Sequence, residues 1–177
     1  MKNKSTLYLV QASVIAALYA VLTILQNVLL PGSASYAVQF RVAEVMTVFA
    51  LFTPAAIPGL TIGCVIANIS SLSSLGPYDM IFGSAASLIT AILMYRLRNV
   101  KLFKMPILAC LMPALINGIL VGFEIEFFFV AGEFHFWDFL LQGGLVALGE
   151  LGVLLVLGLP FTKLLSHFSV FQRTNNK

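Results

Sequence analysis

The chain has 177 residues, 60% of them hydrophobic and only 10% charged, with a formal net charge of +3 and a mean hydropathy of +1.00. So few charges cannot cover a water-soluble domain, and the long apolar blocks indicate an all-α integral membrane protein. About 20 apolar residues cross the hydrocarbon core, which leaves room for about six spans in a single membrane domain over 1–177.

The first predicted helix covers about 7–30. Its apolar run far exceeds a signal-peptide core of roughly 7–15 residues, so it reads as a retained helix. A short second helix is expected at about 42–53, with a start as early as Tyr36 also open, and a third at about 56–72. Pro54 and Pro58 in the TPAAIPG segment separate these two as a tight turn or helix break. The fourth is expected at about 78–95, the fifth at 106–130 and the sixth at 139–165. With the N-terminus placed in the cytoplasm, Lys2, Lys4, Arg96, Arg98, Lys101, Lys104, Lys163, Arg173 and Lys177 all fall inside, with Arg41 the exception. The positive-inside rule therefore sets both termini in the cytoplasm. The basic balance reports topology and gives no sign of a nucleic-acid partner.

No GxxxxGK[ST] phosphate loop, HExxH, GxSxG or metal-ligand spacing occurs, so neither an enzyme nor a metal or cofactor site is expected. His135 and His167 read as isolated membrane-edge residues, and Cys64 and Cys110 as small buried side chains.

Ionisable residues within spans are costly and by default face a cavity or a partner. Arg41 and Glu44 stand three apart at the outer end of the second helix, with Gln39 beside them. Either they pair with each other, or they form the roof of an outward-facing pocket. On the fifth helix Asn117 and Glu124 are seven apart and share a face, whereas Glu126 points to a nearly opposite side. At 1.5 Å per residue Glu124 lies roughly 27 Å from the inner end, and Glu150, on the sixth helix, roughly 17 Å below the outer end. Glu150 has no basic residue in its own span, so it meets a ligand or a donor on another helix. Asn68 and Asp79 complete the ring, Asp79 equally as a helix cap. Gly118 and Gly122 form a close-approach strip. Phe127, Phe128, Phe129, Phe134, Phe136 and Trp137 mark the outer rim. Carboxylates, amides and one guanidinium suit a small polar heterocycle with N–H donors along one edge.

Ala12, Ala16 and Ala20, at i, i+4 and i+8, resemble the AxxxA signature of S components of energy-coupling factor (ECF) transporters. QFRVAEVMTVFALFTPAAIPGLTIGCVIAN, GPYDMIFGS, PALINGILVGFEIE and LGELGVLLVLGLP resemble the QueT family of S components, proposed to import queuosine precursors. Tyr36 and Ala37 depart from the glycine–proline turn expected in relatives. The resemblance implies a six-helix S-component fold that binds a 7-deazaguanine such as preQ1 or preQ0 from outside. It implies as partners a transmembrane coupling protein, packed on Ala12, Ala16 and Ala20, and two cytoplasmic ATPases. It implies that Glu150 or Glu124 accepts from the guanine edge, with Asn117, Asn68 and Gln39 around it, Arg41 and Glu44 organising the lid, and Asp79 near an amino group. The competing readings are an S component for another vitamin such as riboflavin or a folate, a solitary proton-coupled transporter with Glu150 as relay, and a structural membrane protein.

Overall fold

The computed structural model describes residues 4–33, 38–70, 72–102, 106–130 and 132–167. Among them every regular element is helical. The α-helices are α1 (Lys4–Leu29), α2 (Ala56–Ile69), α3 (Leu72–Leu97), α4 (Ile107–Glu124), α5 (Phe136–Val153) and α6 (Leu159–Ser166). A 3-10 helix, Val42–Leu51, precedes α2, and π-helical stretches at Ile125–Phe129 and Leu154–Gly158 extend α4 and join α5 to α6. Among the described residues, four helical runs are long and apolar enough to cross a membrane: Lys4–Leu29, Gly76–Leu97, Ile107–Phe129 and Phe136–Ser166. The 3-10 helix and α2, at 10 and 14 residues, fall short of the roughly 20 residues that a span needs.

The expected α-helix over 42–53 is thus corrected to a 3-10 helix that begins after Arg41, whose own backbone is extended (φ −83°, ψ 94°). Two contacts suit this winding. Gln26 of α1 fixes the strand leading in: its Oε1 accepts from the Val42 N–H at 2.8 Å, and its Nε2 donates to the Phe40 carbonyl. The Thr47 hydroxyl then donates to the Glu44 carbonyl three residues back at 2.6 Å, matching the three-residue pitch. Tyr36 and Ala37 lie outside the described residues, as do Lys2, Lys104, Arg173 and Lys177. The proline segment makes the expected turn, pinned by the Thr53 hydroxyl to Gln11 Oε1 of α1 at 2.9 Å. In α3 the chain breaks at Gly76 (φ 66°, ψ −163°), and Pro77 opens the regular part.

Small residues set the helix spacing. A Cβ on Gly59 or Gly63 of α2 would stand 2.8 Å from the carbonyl oxygens of Ala12 and Ala16 on α1. The two helices therefore run parallel in near backbone contact. Ala12, Ala16 and Ala20 are all buried, the first two in this contact. The glycines of α2 thus face Ala12 and Ala16 from within the same chain. Ser13 and Ala17 of α1 are small and exposed, about 100° round the helix from Ala12 and Ala16. Gly118 and Gly122 of α4 form the expected close-approach strip, and their neighbour is Gly143 of α5. A Cβ on Gly122 would lie 2.5 Å from its Cα.

The interior is divided. Ile15, Met46, Leu60, Met94, Ala109 and Leu165 belong to a continuous apolar core toward the end that holds Lys4, Arg96, Arg98, Lys101 and Lys163. Toward the other end the buried side chains become polar. Leu9, Val21, Val28, Leu141 and Val156 are more than half exposed on the outside of the bundle, as residues that meet lipid are.

Candidate functional site

The polar layer starts where the chain enters the 3-10 helix. Gly149 of α5 leaves room for the Gln39 backbone to lie against the helix, since a Cβ there would meet the Gln39 carbonyl oxygen at 2.3 Å. This contact seats Gln39 beside Glu150, and both are buried. Arg41 follows. It does not pair with Glu44, which removes the simplest account of the two charges. Its Nη2 donates to Asp79 Oδ1 of α3 at 3.2 Å, in a partly shielded ion pair. Glu44 turns instead to α1, where Tyr19 donates its hydroxyl to Oε1 at 2.7 Å. Asn68 of α2 donates through Nδ2 to the Asp79 carbonyl at 2.9 Å. Asp79 therefore ties α2 and the residue before the 3-10 helix to α3, a larger role than a cap.

Glu150 has a donor on another helix. Asn117 Nδ2 of α4 reaches its Oε1 at 2.7 Å and its Oε2 at 2.9 Å. Both groups are sealed from the surface, with Glu150 at 0% exposure. A carboxylate so placed without a donor would be very costly, so this bond is a condition of the fold. Glu124, two turns above Asn117, is buried as well. Glu126, expected to point away, is also covered, and its Oε1 accepts the His135 N–H at 3.2 Å.

Two residues missed in the sequence complete the layer: Tyr19, which holds Glu44, and Gln26, whose Nε2 also donates to the Ser33 hydroxyl at 2.9 Å. The only signal for either was a polar atom on a mostly apolar helix.

The balance of charge and hydrogen bonding is one-sided. Arg41 lies within electrostatic reach of Glu44, Asp79, Glu124 and Glu150, one guanidinium among four carboxyl groups. Gln39 Oε1, Glu44 Oε2 and Glu124 Oε2 are buried acceptors with no hydrogen-bond partner among the described residues. Buried acceptors are rarely left in this state, so a group rich in donors suits the layer. Above it, Tyr78 and Phe128 stack with ring centroids 4.0 Å apart, and Phe82, Phe123 and Phe127 continue the aromatic rim. A separate groove of about 580 Å³, lined by Leu22, Val45, Met46, Phe161 and their neighbours, is apolar throughout and contains none of these groups.

A family model described as QueT transporter matches residues 9–167. The queuosine precursor transporter QueT of Lactococcus lactis subsp. cremoris (strain MG1363) is 34% identical over 90 residues. That stretch covers 50% of this chain and 50% of the relative, so the chain matches about half of the relative's length. No solved structure matches the chain. The family match takes in every described helix from the first third of α1 to the end of α6, and with it the whole polar layer: this membrane protein belongs to the QueT transporter family.

Proposed function

We propose that the chain is the substrate-binding S component of an ECF-type importer and that it takes up a queuosine precursor, a 7-deazaguanine such as preQ1 or preQ0. The observation that carries this reading is the acceptor-rich buried layer. A guanine-type edge offers N–H donors from the ring and the exocyclic amine, which a carboxylate accepts in pairs. Glu124, Glu150 or Glu44 can take that edge, and Arg41 or the amides of Asn68, Asn117 and Gln39 can donate to its oxygen. A second carboxylate, such as Asp79, suits the ammonium of an aminomethyl substituent. The name carried by the Lactococcus relative supports the same substrate class.

An importer without a phosphate loop needs an energy source, and a coupling protein with two ATPases supplies one. In this reading the coupling protein meets the exposed side of α1 around Ser13 and Ala17, where small side chains permit close helix approach. The end of the bundle that holds Lys4, Arg96, Arg98, Lys101 and Lys163 faces the cytoplasm, and both termini lie there. The two short helices, joined by the proline turn, complete a six-helix S-component bundle in this reading.

Calorimetric titration of the detergent-purified chain with preQ1, preQ0, queuine, guanine and riboflavin tests the reading. Tight binding of a 7-deazaguanine is expected, weakened about tenfold or more (1.4 kcal/mol per factor of ten) by Glu124→Gln or Glu150→Gln. Binding of riboflavin alone would keep the S-component class and change the substrate. Absence of binding by a folded sample would overturn the proposal.

A further inference from the structure

Outside the polar layer, three side chains with metal-ligand chemistry meet at the outer hairpin between α4 and α5. Glu126, His135 and Asp138 each offer one ligand atom, and these atoms lie within 4.8 Å of one another. The sequence shows no recognisable metal spacing here, because the ligands come from a helix end, a loop and the first turn of the next helix. The geometry points to a binding site for one divalent transition-metal ion, of the zinc or manganese type, that clips the outer hairpin together.

Glu126 gives the first argument. It is only 2% exposed, yet its Oε2 has no hydrogen-bond partner among the described residues. Among the described residues no basic side chain pairs with it, since the one ion pair joins Arg41 to Asp79. A covered carboxylate with a bare oxygen is costly unless a cation or a donor meets it. The π-helical end of α4 is what delivers it to the hairpin, a winding often found at functional sites.

His135 gives the second. Its Nδ1 lies 2.5 Å from the Glu133 carbonyl oxygen. A carbonyl only accepts, so Nδ1 carries the proton and the lone pair sits on Nε2. Metal-binding histidines are held in this way, with the far nitrogen donating to a carbonyl or carboxylate. Asp138, exposed in the first turn of α5, supplies the third ligand from the open side. One imidazole and two carboxylates form the mixed set that zinc or manganese accepts, with water in the remaining position. Bonds of about 2.0 Å at tetrahedral angles put ligand atoms about 3.3 Å apart. The ligand atoms now lie within 4.8 Å of one another, and binding draws the exposed Asp138 carboxylate inward while the His135–Glu133 contact stays in place.

The test is titration of the tag-free, chelator-treated full chain in detergent with ZnCl2 or MnCl2 alone, read by calorimetry and by the thermal unfolding midpoint. One saturating ion per chain and a raised midpoint are expected. His135→Gln and Asp138→Asn should each weaken binding at least tenfold, whereas His167→Ala at the opposite end should leave it unchanged. Both site positions are exposed, so their metal-free midpoints should match the unsubstituted chain. Absence of a saturating ion, or binding that survives His135→Gln and Asp138→Asn, would overturn the site.

Discussion

At the scale of single residues, Arg41, Glu44 and Glu150 each bond to a side chain on another element. The Asn117–Glu150 contact is the deepest. Hydrogen bonds to charged groups are worth more than neutral ones, and a buried acceptor that loses its donor bears a desolvation cost of about 1–3 kcal/mol. Asn117→Ala should therefore destabilise the protein by about that amount. In a Glu150→Leu background the same change should cost far less, because no acceptor remains to be orphaned. Unfolding midpoints of the four proteins in this cycle measure the coupling, and equal costs in the two backgrounds would show that the bond carries no energy. The sequence revealed which residues belong to this layer because a charge in an apolar block stands out. It did not reveal the partners. Arg41 and Glu44 are neighbours in sequence, but each bonds to another helix, Asp79 38 residues away and Tyr19 25 residues away. A tyrosine on the buried face of an apolar helix looks like any other core aromatic. The same limit hid the Glu126–His135–Asp138 cluster, where each residue alone reads as an interfacial polar group.

At the scale of elements, glycine governs which helices touch. Gly118, Gly122 and Gly143 leave no room for a methyl group, since a Cβ on Gly143 would stand 2.4 Å from the Gly118 carbonyl oxygen. The neighbouring Gly144 has nothing within 4 Å. Gly143→Ala should thus cost about 1–3 kcal/mol by overpacking. Gly144→Ala should be neutral or slightly stabilising through helix propensity. Unfolding in detergent compares the two, and equal stability of both variants would refute the close contact. This strip was legible because its spacing and its use agree. The alanines of α1 show why spacing alone is insufficient. Small residues at i, i+4 and i+8 state that something comes close, but not whether it is a partner protein or, as here, α2 of the same chain. The 3-10 winding was likewise invisible, since it depends on Gln26 and Thr47 acting on a backbone that sequence periodicity treats as α-helical.

At the scale of the whole molecule, the division into an apolar half and a polar half follows from the charge pattern, and this was readable before any coordinates. The basic residues Lys4, Arg96, Arg98, Lys101 and Lys163 stand at one end, and the Glu133–Asp138 hairpin at the other. Cys64 and Cys110 are both buried, so they give little background to a membrane-impermeant thiol reagent. In sealed vesicles of known orientation, Glu133→Cys should label only from the extracellular side and Lys101→Cys only from the cytoplasmic side. Labelling of both from one side would reverse the assignment of the bundle's ends.

The narrow winding of Val42–Leu51 has a consequence for reach. Ten residues at the 2.0 Å rise of a 3-10 helix extend about 20 Å, whereas the same ten as an α-helix extend about 15 Å. An α-helical segment would stop about 5 Å short. The thinner coil lets a short piece of chain hang Glu44 from the charged layer and still deliver Thr53 to its bond with Gln11 deep on α1. It works as a plumb line, and its length fixes how far below the charged layer the turn into α2 is set.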